Sequence, residues 1–278
     1  MTPRTDRLLI DYTLAFNTPF HCGTGIRESL IDRTVVRDSD GYLYVPGSTL
    51  KGVLRDRCEQ IARFYGQTEP AMNNGTPADT GMQRVPSPHD ATAALAGLGK
   101  SKPTMITRIF GSQNKPGLLF FDDAYQSQEE QEQYDSLEEP MVKGKGKYRS
   151  LQVSVSTQVR LDRPTRTAVP GALYTSEFGN NDITFYGIIQ GWITCTPIPS
   201  DAIDVAGDTG TVGTPTYSLL LLLAGLRMLE RLGGNKSTGK GNCICTIGDV
   251  KINDANTNWQ AWLHMLDALA RYEREGSA

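Results

Sequence analysis

Leu8, Ile10, Tyr12, Leu14 and Phe16 occupy alternate positions of one segment. That period of two fits a β-strand with one buried face, so the rest of the chain must build around a sheet. A glycine-bearing loop, His21-Cys22-Gly23-Thr24-Gly25, follows. Leu30–Arg37 and Tyr42–Val45 read as short strands around the turn Asp38-Ser39-Asp40-Gly41. Pro46-Gly47-Ser48 then stops the strand. Leu50, Val53, Leu54, Cys58, Ile61 and Phe64 keep helical spacing behind it, with Ser48 or Thr49 as the N-cap.

Further along, Gly117–Phe121 returns to strand. Gln152–Leu161, Ala172–Ser176 and Asp182–Ile193 are three more strands, and the arginine-rich turn Asp162–Thr167 makes a long hairpin. Thr216–Leu232 is the second strong helix, with Gly233-Gly234 as its C-cap. Asn242–Ile252 is a strand. Trp259–Tyr272 is an amphipathic helix on Trp262, Leu263, Leu266, Leu269 and Ala270. Strand, helix, strands, helix, strand is the order of an α+β chain with a ferredoxin-like βαββαβ core carrying decorations. The expected layout is a single domain over 1–278, a loop-rich insertion over 67–107 with one short helix near Ala91–Leu98, a hairpin and following strand over 148–193, and a C-terminal helix over 256–278.

The composition allows such a core. Of 278 residues, 38% are hydrophobic and 21% charged, ordinary values for a globular protein. The longest apolar run, Leu219–Leu226, is far short of the roughly 20 residues that cross a bilayer. The N-terminus lacks the apolar stretch of a signal peptide, so a cytoplasmic location without membrane partners is expected. The five cysteines, Cys22, Cys58, Cys195, Cys243 and Cys245, include no C-x-x-C pair, which argues against a disulfide framework or a zinc knuckle. They read as buried small side chains.

A net charge of −3 speaks against nucleic acid only until its distribution is read. Phe121–Pro140 carries eight acidic residues and no basic one. Met141–Pro170 carries seven basic residues against Asp162 alone. Such segregation can attract phosphates whatever the global sum, although a solvated basic loop beside an acidic one would look the same.

Two segments carry glycine and lysine together. In Pro46–Gly52 the start of a helix offers free N–H groups, Gly47 allows close backbone approach, and Ser48, Thr49, Lys51 and Arg55 add donors and charge. An ordinary capped helix has the same residues. In Gly233–Gly241, Gly233, Gly234 and Gly239 permit consecutive N–H groups to face an anion, and Lys236, Ser237 and Lys240 complete the set. This is not a nucleotide-binding P-loop. Gly241 stands where Ser or Thr should hold magnesium, and the segment runs from helix to strand. Gly99-Lys100-Ser101 fails too, because Ala94 replaces the first glycine.

In context the segments carry a family resemblance. Tyr44–Arg55 resembles the Y-[IV]-P-G-S-S-L-K-G-x-[IL]-R signature of the RAMP superfamily, and Leu232–Gly241 resembles its C-terminal glycine-rich loop. His21–Gly25 is similar to the family's H-I-G-x-G loop. Ile109-Phe110-Gly111-Ser112 followed by Leu119–Ala124 is similar to its [IL]-F-G-S…D-A, and Val159–Glu177 is similar to its I-D-R-x-T…L-[FY]-x-x-E hairpin, with Arg163, Thr165, Leu173, Tyr174 and Glu177 in place. The five motifs stand in family order.

Within that superfamily the chain most resembles backbone subunits of type III CRISPR–Cas effector complexes. The resemblance implies a modified RRM-like core with a thumb hairpin. It implies binding to a CRISPR guide RNA and its target RNA, beside neighbouring RAMP backbone subunits and the large and small subunits of the complex. The family's catalytic aspartate lies in I-D-x-P-V-[IV]-[KR]; here Ile31–Arg37 matches, making Asp32 the candidate, with Thr34 in place of proline. The implied reaction is attack of the RNA 2′-hydroxyl on the adjacent phosphate, with Asp32 orienting the hydroxyl or holding Mg²⁺ or another divalent cation. His21, Arg33, Ser48, Thr49, Lys51, Arg55, Arg160, Arg163, Gly233, Gly234, Lys236, Ser237, Gly239 and Lys240 are the implied RNA contacts. Two alternatives stand beside this endoribonuclease. One is a scaffold subunit that holds RNA without cutting it. The other is a CRISPR-RNA-processing endoribonuclease that uses His21 as general acid or base. His89 and His264 have no evident partners, and Trp259 and Trp262 fit a packing face better than base stacking.

Overall fold

The computed structural model describes residues 4–26, 31–67, 104–112, 115–143, 146–198 and 215–272, and the backbone of four two-residue strands between 69 and 84. Strand β1 (Arg4–Phe16) is the middle of a five-stranded sheet. Helix α1 (Gly47–Phe64), helix α2 (Met105–Phe110) and strand β2 (Leu119–Phe121) follow it. Then come helix α3 (Gln128–Leu137) and the antiparallel hairpin of β3 (Val153–Leu161) and β4 (Ala168–Gly179). Strand β5 (Thr184–Cys195), helix α4 (Tyr217–Arg227) and strands β6 (Cys243–Ile252) and β7 (Ala255–Asn256) complete the order.

The sheet runs β7-β6-β1-β5-β2, with every neighbouring pair antiparallel. Leaving out β7, its strands lie in the order fourth, first, third, second of a βαββαβ chain, which is the ferredoxin-like arrangement. The alternation of β1 predicts its buried face: Leu8, Ile10, Tyr12, Leu14 and Phe16 are all buried. Helix α4 is apolar all round because it is enclosed all round, by α1, α2, the sheet and the C-terminal helical segment. Leu219 to Leu223 are all buried, each contributing about 2 kcal/mol relative to exposure. Gly225 lets α1 close on α4, since a Cβ there would press on Cys58 Sγ. Cys22, Cys58, Cys243 and Cys245 are free and buried, as their sequence setting suggests.

The structure corrects several local readings. Residues 31–37 do not form a strand. Val35 bridges Gly23 on one side and Arg33 bridges Ser176 on the other, so backbone bonding is divided between two partners and no ladder propagates. Residues 42–45 likewise make only isolated bridges, Leu43 to Arg37 and Val45 to Ala124. Pro46, not Ser48 or Thr49, is the N-cap of α1, and no side chain on it caps the helix. Helix α4 ends at Arg227, so Gly233-Gly234 is not its C-cap; Arg231 and Leu232 are instead held by backbone bridging to Asn242 and Gly241. The C-terminal helix divides into an α-turn over Trp259–Trp262 and a 3₁₀ stretch over Leu263–Arg271. Its buried face is Trp259, Trp262, Met265, Ala268 and Leu269, while Ala270 is exposed. The expected helix near Ala91–Leu98, the Gly99-Lys100-Ser101 segment and His89 lie outside the described residues.

Part of the segregated charge is paired within the chain. Helix α3 buries none of its side chains. A capping box of Ser127 and Glu130 starts it, and polar contacts hold it in place. Arg149 pairs with Asp135 at 2.6 Å and lies over the Tyr42 ring, whose hydroxyl also donates to Asp135. Lys147 pairs with Asp40 at 2.7 Å. Among the described residues, Lys147 and Arg149 of the basic segment are therefore engaged by acids of the same chain. Arg160 and Arg163 stay exposed at the hairpin tip.

Candidate nucleic-acid interface

A groove of about 750 Å³ opens where five separate stretches of sequence meet. Its lining includes His21 to Ile26 in part, Asp32 to Thr34, Thr49 and Val53 of α1, Tyr174 of β4, and Gly233-Gly234. Long-range pairing assembles it. The His21 carbonyl accepts from Gly234 N–H at 2.8 Å, and the Pro19 carbonyl accepts from Gly241 N–H at 2.9 Å, so the glycine-rich loop is tied to the loop after β1. Gly233 and Gly241 have φ of 86° and 73°, and a Cβ on them would strike the backbone of His21 and Leu232 respectively. These glycines serve the loop's own packing as well as any ligand.

The Asp32 loop is fixed on both flanks. Asp32 N–H donates to the Thr175 carbonyl at 2.9 Å, and Thr175 N–H donates to Asp32 Oδ2 at 2.9 Å, closing a two-bond ring with β4. Thr34 stands where the family motif has proline, and its hydroxyl is put to use. It is 2.9 Å from the Thr24 hydroxyl and donates to the Ile26 carbonyl at 3.3 Å. Hydrogen bonds thus supply the constraint that a proline ring would otherwise give. Behind the loop, the fully buried Glu177 carboxylate accepts from Arg37 Nη2 at 2.6 Å and Nη1 at 3.1 Å, and from Val35 N–H at 3.1 Å. Burying the carboxylate is tolerated here because three donors reach it, although Arg37 Nε itself finds no acceptor.

His21 Nδ1 lies 2.8 Å from the Glu177 carbonyl, which can only accept, so Nδ1 donates in this bond and Nε2 is left for other partners. Arg33 lies with its guanidinium 5.5 Å from the Tyr174 ring centroid and donates to Asn235 Oδ1 at 3.4 Å, linking the hairpin to the glycine-rich loop.

Of the residues expected from sequence, His21, Asp32, Arg33, Thr49, Gly233 and Gly234 line this one groove. Others face elsewhere. Gly47 N–H donates to Asp123 Oδ1 at 2.7 Å, and a Cβ on Gly47 would overlap the Phe121 carbonyl. The α1 N-terminus is therefore served by a carboxylate of the chain itself, and Gly47 is small because β2 passes against it. Lys51 sits 5.5 Å from the Phe121 ring centroid, where burial and the neighbouring Arg55 lower its pKa. Arg55 is engaged by Glu59 at 2.9 Å and by the Gly111 carbonyl. Ser48 is exposed on the first turn of α1. Lys236 and Ser237 lie exposed on a 3₁₀ turn that ends at Gly239, and Lys240 lies over the Phe178 ring at 4.9 Å. Arg160 and Arg163 stand apart at the hairpin tip. Among the described residues no three His, Cys, Asp or Glu side chains converge to hold a metal ion. Within the same residues no helix is long and apolar enough to cross a membrane.

The ferredoxin-like core with a hairpin arm and a glycine-rich loop closing on the segment after β1 defines the class to which this chain conforms. The sequence model of the RAMP superfamily matches residues 13–244, and the chain belongs to that superfamily. Among solved structures it is similar to a chain of the type III-B Cmr-beta complex bound to cognate target RNA, with 13% identity, 86% of this chain and 96% of that chain covered, and a TM-score of 0.46. It is also similar to a chain of type III-B Cmr-beta in the apo state, with 14% identity, the same coverage and a TM-score of 0.47. No curated protein matches it.

Proposed function

We propose that the chain is a guide-RNA-binding backbone subunit of a type III CRISPR effector complex and that it cleaves target RNA paired to the guide. The observation that carries this reading is the convergence of five RAMP-like segments on one groove, with Asp32 on its wall. His21, Arg33, Thr49 and the Gly233-Gly234 backbone supply contacts to RNA. Arg160 and Arg163 on the exposed hairpin add a second electrostatic contact. Neighbouring RAMP subunits and the large and small subunits of the complex are the protein partners on this reading.

In the reaction, the 2′-oxygen bonds to the adjacent phosphorus and the bond from phosphorus to the 5′-oxygen breaks. The products are a 2′,3′-cyclic phosphate and a 5′-hydroxyl end. The 2′-hydroxyl gives up its proton and the leaving oxygen gains one. The protein's task is chiefly to hold an in-line geometry. Asp32 suits it because the Thr175 amide fixes the carboxylate through Oδ2 alone. A single carboxylate fits a divalent cation shared with RNA phosphate oxygens, not a resident ion with a full protein ligand set. When bound, such a cation supplies charge neutralisation at the phosphoryl group.

A second reading has a specific observation behind it. The Asp32–Thr175 bond is a structural use for the same carboxylate, and a scaffold subunit without cleavage would need nothing more. Asp32→Asn separates the two, because the amide oxygen still accepts from Thr175 while the negative charge is gone. The assembled complex carrying Asp32→Asn should bind guide and target normally and lose cutting at the sites served by this subunit. Undiminished cutting at every site would support the scaffold reading.

A further inference from the structure

Two supports hold the Asp32 loop, and the second is built from hydroxyls. The Thr175 amide of β4 holds Asp32 from one side. Two residues on, Thr34 is buried against the loop after β1, which forms another wall of the groove. Its one hydroxyl proton goes to the Ile26 carbonyl at 3.3 Å. The Thr24 hydroxyl, 2.9 Å away, then donates to Thr34 Oγ1 and accepts from the Ile26 amide at 3.0 Å. The three bonds close a ring in which every proton has an acceptor and each bond polarises the next. Gly25, at φ 75°, makes the turn that brings both backbone groups of Ile26 to the two hydroxyls.

We propose that Thr34 is a positioning residue: through its ring with Thr24 it pins the Asp32 loop to the facing wall and sets where the carboxylate stands relative to the reacting 2′-hydroxyl. This rests on the reading of Asp32 as the carboxylate that serves cleavage. In-line attack is sensitive to displacement, and a shift of about 1 Å can cost about 100-fold in rate. Backbone bonds from Thr24 N–H to the Thr34 carbonyl and from Val36 N–H to the Cys22 carbonyl hold the two loops together without the ring. Losing the hydroxyls therefore loosens the Asp32 loop and does not unfold it. The role asked of Thr34 is stiffness. Among the described residues its amide donates to no acceptor, so a proline there gives up no hydrogen bond and restores stiffness by fixing φ.

The test measures target-RNA affinity and single-turnover cleavage in the assembled complex, for Thr34→Ser, Thr34→Val, Thr34→Pro, Thr24→Val and the double valine variant. Thermal melts show that each variant folds. Thr34→Val and Thr24→Val should each cut about 10-fold more slowly with unchanged affinity for target. The double variant should be no slower than either single one, because both remove the same ring. Thr34→Ser should cut as the wild type does, and Thr34→Pro should recover most of the rate. Wild-type cutting by Thr34→Val, or additive losses in the double variant, would overturn the ring's role. A folded Thr34→Pro as slow as Thr34→Val would place the hydroxyl on the RNA and overturn positioning. Asp32→Asn in the same complex separates the two claims. If it abolishes cutting while Thr34→Val does not slow it, the cleavage reading stands and the positioning role falls. If Asp32→Asn cuts as well as wild type, or the wild type does not cut, both fall.

Discussion

Asp32 and Thr175, 143 residues apart in sequence, exchange two hydrogen bonds, each 2.9 Å long. The loop that carries the candidate catalytic carboxylate is thereby joined to the hairpin strand that carries Tyr174. Whatever displaces the base of the hairpin also displaces Asp32.

That coupling makes Asp32→Ala and Asp32→Asn different experiments. Both should reduce cleavage by about 100-fold or more if the carboxylate acts on RNA. Asp32→Ala alone leaves the Thr175 amide without its acceptor and should cost about 1 kcal/mol of stability. Asp32→Asn should stay within a few tenths of wild type. Urea denaturation of the two variants, run beside the cleavage assay, checks both halves.

The buried pair of Arg37 and Glu177 supports the same loop from behind. Removing one partner leaves the other charge buried and unpaired, so Glu177→Ala or Arg37→Ala should each cost about 3–5 kcal/mol. Glu177→Ala should be the more damaging, because the Val35 amide loses its acceptor as well. Chemical denaturation midpoints order the two.

Glycines of the α1 signature should separate into two kinds. Gly52 has open space around it on an exposed turn of α1, so Gly52→Ala should stabilise the fold by about 0.5–1 kcal/mol. Gly47→Ala drives a Cβ into the Phe121 carbonyl and should destabilise it by more than about 1 kcal/mol. If RNA passes close to Gly52, the stabilised variant will bind RNA more weakly than wild type. Thermal melts paired with RNA titrations separate the effects.

The polar contacts around helix α3 should release in acid. The Lys147 ammonium beside Asp40 lowers its pKa. For Glu138, the penalty of burial is outweighed by hydrogen bonds from the Ser150 hydroxyl and the Ser150 and Leu151 amides, so its pKa is lowered too. A carboxylate held below its unfolded pKa contributes stability that is present above that value and lost as pH falls through the folded one. The contacts should therefore persist down to about pH 4 and fail below it. Amide exchange of residues 138–143 and 146–151, followed by NMR from neutral to acid pH, should show protection lost only in that lower window.

The sheet was legible in the sequence because its signals are local. Alternation marked β1, helical spacing marked α1 and α4, and their order yielded the ferredoxin-like core. The errors share a cause. Residues 31–37 resemble a strand by composition, yet their backbone bonds are divided between Gly23 and β4, an arrangement no local pattern encodes. Gly47 and Gly233 looked like ligand-facing or capping glycines, whereas neighbouring backbone passes against both. Tyr174 stood in the hairpin motif without being recognised as part of the site, because only long-range pairing brings it to the groove. The neighbours of Lys51 and Arg55, the Phe121 ring and the Glu59 carboxylate, were likewise not legible from the local sequence.

The central claim is that this chain holds a guide RNA. Purification of the protein from its native cell, with sequencing of the RNA that accompanies it, tests that most directly. The account predicts a single class of guide-sized RNA sharing a constant 5′ segment, lost when Arg33 and the Gly233-Gly234 loop are altered together. A wild-type protein that carries no RNA, or one that carries an unselected mixture of cellular transcripts, would contradict it.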